Sequence, residues 1–110
     1  NVETPSPPPG SPGGDVPVAN DDFPPALSAG GDIAFVSVLV NDTPAIGQEL
    51  IVKSIVTDAA NGECTISLDL TEVTYMPEDS FTGTDTCVYE ACDKAVVPAC
   101  DTATVTFIVA

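Results

Sequence analysis

From Val16 onward, short apolar and β-branched runs alternate with turn-forming polar residues. Val16 and Val18 alternate ahead of Asn20-Asp21-Asp22. Residues 33–40 (IAFVSVLV) form a second run, with Ile33, Phe35 and one of Val38 and Val40 facing the core, and Asn41-Asp42-Thr43-Pro44 breaks it. Further strands are predicted over 49–57 (ELIVKSIVT), 64–70, 72–76, 85–92 and 102–109, the last with Val105, Phe107 and Val109 on one face. Asn61-Gly62 is a turn signal and 77–83 a loop. Runs of this size at this spacing, with no sustained helical period, predict an all-β sandwich.

The first residues do not share this pattern. Eight of the eleven prolines fall within 1–25, and residues 1–14 (NVETPSPPPGSPGG) are a linker by composition, leaving 15–110 for the sandwich. Pro7-Pro8-Pro9 favours extended polyproline II, and Gly13-Gly14 adds a flexible joint. The tail is expected either to space neighbouring domains or to dock on a neighbouring subunit. Ser6 and Ser11 sit beside prolines, the setting of O-glycosylated stalks. The sequence opens inside a polar run, as it would after removal of a leader or within a longer chain.

Charge narrows the partners. Formal net charge is −15, with Lys53 and Lys94 the only cations. Nucleic acid needs a basic face and is excluded, as is an anionic membrane surface. No apolar stretch is long enough to span a bilayer, so no membrane insertion is expected. A hydrophobic content of 44% is too high for a wholly disordered acidic chain.

The 110 residues suit one small domain, which is marginal without covalent help. Cys64, Cys87, Cys92 and Cys100 supply it. No histidine is present and no paired C-x2-C knuckle forms, so disulfides in an oxidising compartment are the expected use. Strand parity decides the pairing. Cys87 shares a face with Tyr89 and Ala91, and Cys64 with Ile66, so both point inward and a Cys64–Cys87 bridge is favoured. Cys92–Cys100 would then clip a hairpin loop. The other pairings, 64–92 with 87–100 and 64–100 with 87–92, join an inward to an outward thiol or two residues close along one strand. Each bridge is expected to contribute about 3 kcal/mol.

The order VANDD (18–22), VLVND (38–42), LIVKSI (50–55), ANG (60–62), VTYMPEDSFTGTDTCVYEACD (73–93) and DTATVTFIV (101–109) resembles the bacterial Ig-like, cadherin-like tandem repeats of surface adhesins and related algal cell-surface proteins. Its most specific piece is Y-x-P-x-x-x-F-x-G-x-D at Tyr75, Pro77, Phe81, Gly83 and Asp85. The resemblance spans 16–110. It implies a seven-stranded immunoglobulin/cadherin-like sandwich, used in rows as a stalk, with calcium at or near domain junctions. The chain departs from the commoner bacterial form in its four cysteines and in lacking glycines after Asp93.

Counting strands in such a sandwich gathers Asp21, Asp22, Asn41, Asp42, Asp69, Glu72, Asp93 and Asp101 at the pole where the linker arrives. Two carboxylates ~7 Å apart cost roughly 2 kcal/mol at an effective dielectric near 20. They must spread out, take protons or share a cation. Calcium takes six to eight hard oxygen ligands, so Asp21, Asp22, Asn41, Asp42 and Asp93 are its candidate ligands. Equally, Asn and Asp start turns by bonding their own backbone, and no EF-hand loop is present. Asn41-Asp42-Thr43 is an N-glycosylation sequon, followed by Pro44, with a plain Asx turn as the alternative.

No catalytic set is visible. General-base histidine is absent, and a carboxylate pair for glycoside hydrolysis needs a cleft with aromatic platforms, whereas tryptophan is absent and Tyr75 and Tyr89 read as core. The expected role is a non-enzymatic structural or adhesive module, secreted to the cell surface, requiring no cofactor and partnered by copies of itself or neighbouring repeats. A carbohydrate-binding sandwich, with glycans as partners, is the alternative.

Overall fold

A computed structural model describes residues 16–110. The described residues form two three-stranded antiparallel sheets. Strand β1 (Ala34–Val36) is followed by a single turn of 3-10 helix (Val38–Asn41), then β2 (Leu50–Thr57), β3 (Gly62–Ile66), β4 (Val73–Pro77), β5 (Gly83–Asp93) and β6 (Cys100–Val109). One sheet has the order β1-β4-β3 and the other β2-β5-β6, the arrangement of an immunoglobulin sandwich.

Six regular strands appear where seven were expected. The missing one is the leading segment. It pairs through three isolated bridges: Val18 with Thr43 of the β1–β2 connection, then Asp22 with Val105 and Leu27 with Val109, the last two parallel to β6. Pro17, Pro24 and Pro25 explain the interruption, because each removes a ladder N–H. The segment still covers the outer edge of β6. Asp22 and Leu27 N–H donate to the Thr104 and Ile108 carbonyls, and Thr106 and Ala110 N–H donate back to Asp22 and Leu27.

Alternation along β5 and β6 builds the core. Asp85, Cys87, Tyr89 and Ala91 face inward, opposite Phe107, Val105, Ala103 and Asp101 in register. Val73 and Tyr75 of β4 fill the other sheet's inner face, and Tyr75 stacks on Phe107 across the sandwich with ring centroids 4.0 Å apart. Cys64 on β3 bonds Cys87 on β5, joining the two sheets, while Cys92–Cys100 closes the β5–β6 hairpin.

Two sequence expectations are corrected. Ile33 and Phe35 are exposed, Phe35 to 69%, and Ala34 and Val38 face the core instead. The run 33–40 is apolar at nearly every position, so its parity was set by pairing of Ala34 with Tyr75 and by the 3-10 turn, which carries Val40 outward. The strand predicted over 64–70 stops at Ile66. Ser67 Oγ accepts the N–H groups of Thr71 and Glu72, and Leu70 adopts φ 63°, folding 67–72 into a tight turn.

Candidate functional site

One end of the sandwich gathers the β1–β2, β3–β4 and β5–β6 connections with the leading segment. This is the pole where carboxylates were expected, and they are there in a different arrangement. The phenol of Tyr89, deep on β5, donates to Asp42 Oδ2 at 2.6 Å, with the carbonyls of Asn20 and Val38 at 3.3 and 3.4 Å. Asp42 Oδ1 accepts the N–H of Asn20 at 2.8 Å. Asp101 Oδ2 accepts Ala19 N–H, Asp21 Oδ1 accepts Thr104 N–H, and Asn41 Nδ2 donates to the Asp21 carbonyl. The carboxylates thus hold the Pro-interrupted leading segment by taking N–H groups that no regular ladder supplies.

Asp22 is the exception. Its Oδ2 is buried with no hydrogen-bond partner. Burial, and then the nearby charge of Asp42, push its carboxyl up to about 7 from an ordinary 3.8. Burial raises Asp42 as well, opposed by the Tyr89 and Asn20 hydrogen bonds. Burial and the Asp42 acceptor push the Tyr89 phenol above its ordinary range.

Asp21, Asp22, Asn41 and Asp42 are therefore brought together, and Asp101 joins them in place of Asp93. The Asp93 carboxylate turns into its own hairpin, where Oδ1 accepts the N–H groups of Ala95 and Ala99. Asp69 closes the 67–72 turn through Ser67 and Thr71, and Glu72 accepts from Ser37. Calcium fits this set poorly. Both oxygens of Asp42 and one each of Asp21 and Asp101 already accept from N–H or O–H donors, which compete with an ion for them, and Asp22 Oδ2 is left buried without a donor. Elsewhere Glu90, Cys92 and Cys100 converge, but both sulfurs are spent in a disulfide. At the sequon, Asn41 is exposed and donates Nδ2 to the Asp21 carbonyl, and Thr43 Oγ1 is buried. Ser6, Ser11 and the 1–14 linker lie outside the described residues.

The opposite pole carries a second tyrosine–carboxylate clasp that sequence reasoning did not identify as a contact. Asp85, 5% exposed, accepts N–H groups from Ala60, Asn61 and Thr86 and the Tyr75 phenol at 2.8 Å. This accounts for the Y-x-P-x-x-x-F-x-G-x-D spacing. Tyr75 sits at the centre of β4, Pro77 ends that strand, Gly83 at φ 129° starts β5 in a conformation other residues resist, and the Asp85 carboxylate meets the Tyr75 phenol.

Tyr75 and Tyr89 are fully buried, and the exposed aromatics Phe23 and Phe35 lie against different sheets, so no aromatic platform forms. Among the described residues, no helix is long and apolar enough to cross a membrane.

No curated protein matches this chain. Among solved structures, the chain is similar to a nucleoside hydrolase-related hypothetical protein from Saccharophagus degradans that is associated with carbohydrate metabolism. The TM-score is 0.55 at 12% identity, over 89% of this chain but 26% of that one, a likeness of fold alone. The family description of a bacterial Ig domain matches residues 14–108. Sandwich topology, strand parity and this match agree: the chain belongs to the bacterial Ig domain family.

Proposed function

We propose that this domain is a tension-carrying structural module of an extracellular adhesin, stalk or filament, linked in series with copies of itself or with neighbouring domains. The observation that carries the reading is the parallel pairing of the leading segment with β6. The chain arrives at the pole of Val18 and runs out along β6 to Val109 at the other pole, roughly 30 Å away at ~3.3 Å per residue. Pulling on both sides therefore drags two parallel, adjacent segments in opposite directions. The hydrogen bonds between Asp22 and Thr104 and Thr106, and between Leu27 and Ile108 and Ala110, are loaded in shear and must fail together. A Cys64–Cys87 bond behind them keeps the sheets joined. Two disulfides point to an oxidising, extracellular compartment, and the family is typically non-enzymatic.

Single-molecule pulling through handles at residues 1 and 110 tests this. Leu27→Pro deletes the N–H donated to Ile108 and should lower the unfolding force clearly below that of the parent. Equal forces would sink the shear reading.

A further inference from the structure

We propose that the loop pole is a docking surface for a protein partner whose apolar centre is ringed by lysine or arginine. The three connections at this pole expose aliphatic tips: Val40 and Ile46, Leu68, and Val96 with Val97. Leu68 and Val96 are 104% and 101% exposed, as open as in an extended chain. Loops that merely close a sandwich are ordinarily polar, and clustered exposed apolar side chains mark interaction sites.

These tips are held in place. The Val96-Val97 loop is closed at its base by Cys92–Cys100, braced within by Asp93 accepting from Ala95 and Ala99, and tied to the β1–β2 connection by Lys94 on Glu49 at 2.8 Å. Leu68 crowns a turn fixed by Ser67, Asp69 and Thr71. Ser37 Oγ donates to Glu72 and Val52 N–H to the Leu70 carbonyl, joining that turn to the remaining elements of the pole. Loops braced in this way lose little backbone freedom on binding.

Charge selects the occupant. Around the tips stand the carboxylates of Glu49, Asp69 and Glu72, and the one cation there, Lys94, is already paired with Glu49. A second copy, at net charge −15, is repelled, and so is an anionic lipid surface. A partner with basic residues around an apolar centre matches both features, its charge steering the approach and its centre covering the tips.

The test uses the full chain and a synthetic heptapeptide alternating lysine with leucine and valine, with heptalysine as the charge-only control. Binding is read by titration calorimetry. The combined variant Leu68→Ser, Val96→Ser, Val97→Ser should keep the parent's melting midpoint and bind the mixed peptide at least about tenfold more weakly, with heptalysine binding equal and weak for both proteins. Phe35→Ser, which removes an exposed apolar group from a sheet face, should bind like the parent. The proposal is overturned if the combined variant binds the mixed peptide like the parent, if Phe35→Ser loses as much, or if heptalysine binds as well as the mixed peptide. It is equally overturned if phosphatidylcholine vesicles take the surface, or if the parent self-associates through it and the combined variant does not.

Discussion

Protonation of the Asp22 carboxyl should make this domain more stable in mild acid than at neutral pH, the reverse of the usual behaviour of salt-bridged carboxylates. Its pKa in the fold is raised from 3.8 to about 7, by burial first and the charge of Asp42 second, with Asp21 adding a smaller push. A carboxyl raised on folding binds its proton more tightly in the native state. Its contribution is full below the unfolded value, fades between about pH 4 and 7, and is gone above. At about 1.4 kcal/mol per pH unit the gap sets a ceiling of about 4 kcal/mol. The group is only half-buried, and water screening brings the expected effect down to about 1–2 kcal/mol. Asp42, also raised, acts in the same direction, while the exposed Glu49 and Asp69, both lowered, oppose it weakly. Urea denaturation at pH 5, 6, 7 and 8 should show the midpoint falling as pH rises. Asp22→Asn keeps the backbone bonds to Thr104 and Thr106 but removes the titration, so its profile should be flatter by about 1–2 kcal/mol and its stability at pH 8 higher. An Asp22→Asn profile parallel to the parent's, or a parent that gains stability from pH 5 to 8, would refute the reasoning.

Three further outcomes are expected. Replacing Cys64 and Cys87 together by alanine should lower stability by about 3 kcal/mol or more, read from the urea midpoint, since the pair closes a long loop and fills the core. Tyr75→Phe removes one of four donors to the Asp85 carboxylate and should cost about 1–2 kcal/mol, whereas Asp85→Ala strands all four and should cost about 3–5 kcal/mol, measured by thermal melting. Chelation with EDTA should leave the melting midpoint in place, because N–H and O–H donors already face the pole's carboxylates.

How far the sequence could be read depended on how sharply polar and apolar positions alternate. Along 102–107 polar and apolar residues alternate strictly, and along 87–91 Cys87, Tyr89 and Ala91 share one face, so the inward faces of β5 and β6 and the Cys64–Cys87 pairing follow from parity. Residues 33–40 carry no such contrast, and only contact with Tyr75 decided which side Ala34 and Phe35 take. Asn61-Gly62 was legible as a turn, yet the glycine serves a close approach. A Cβ on Gly62 would sit 2.5 Å from the Met76 carbonyl oxygen and 2.8 Å from the Tyr75 ring. Gathering of Asp21, Asp22, Asn41 and Asp42 was legible from strand counting. Strand counting also placed Asp93 and Asp101 at this pole, but not which of the two would join the set. Parity places both on the inner side of one hairpin, and the free N–H groups of Ala95 and Ala99 capture the nearer carboxylate.

The acidity of the loop pole then has a structural cause beyond solubility. Prolines in the leading segment remove ladder donors and bend the backbone, so neighbouring N–H groups at Ala19 and Asn20 meet no strand carbonyl. Buried or half-buried, each such N–H would cost about 1–3 kcal/mol unpaired. Asp101 and Asp42 accept them, and Asp21 accepts the Thr104 N–H of the β6 edge that the same interruption exposes. A neutral side chain could accept these bonds, but a carboxylate does so about twice as strongly and reaches from either strand. Burial first and the charge of the neighbouring Asp42 second raise the affinity of Asp22 for a proton, and its Oδ2 is left without a hydrogen-bond partner. The same prolines that broke the expected seventh strand therefore account for the clustering of acids around it.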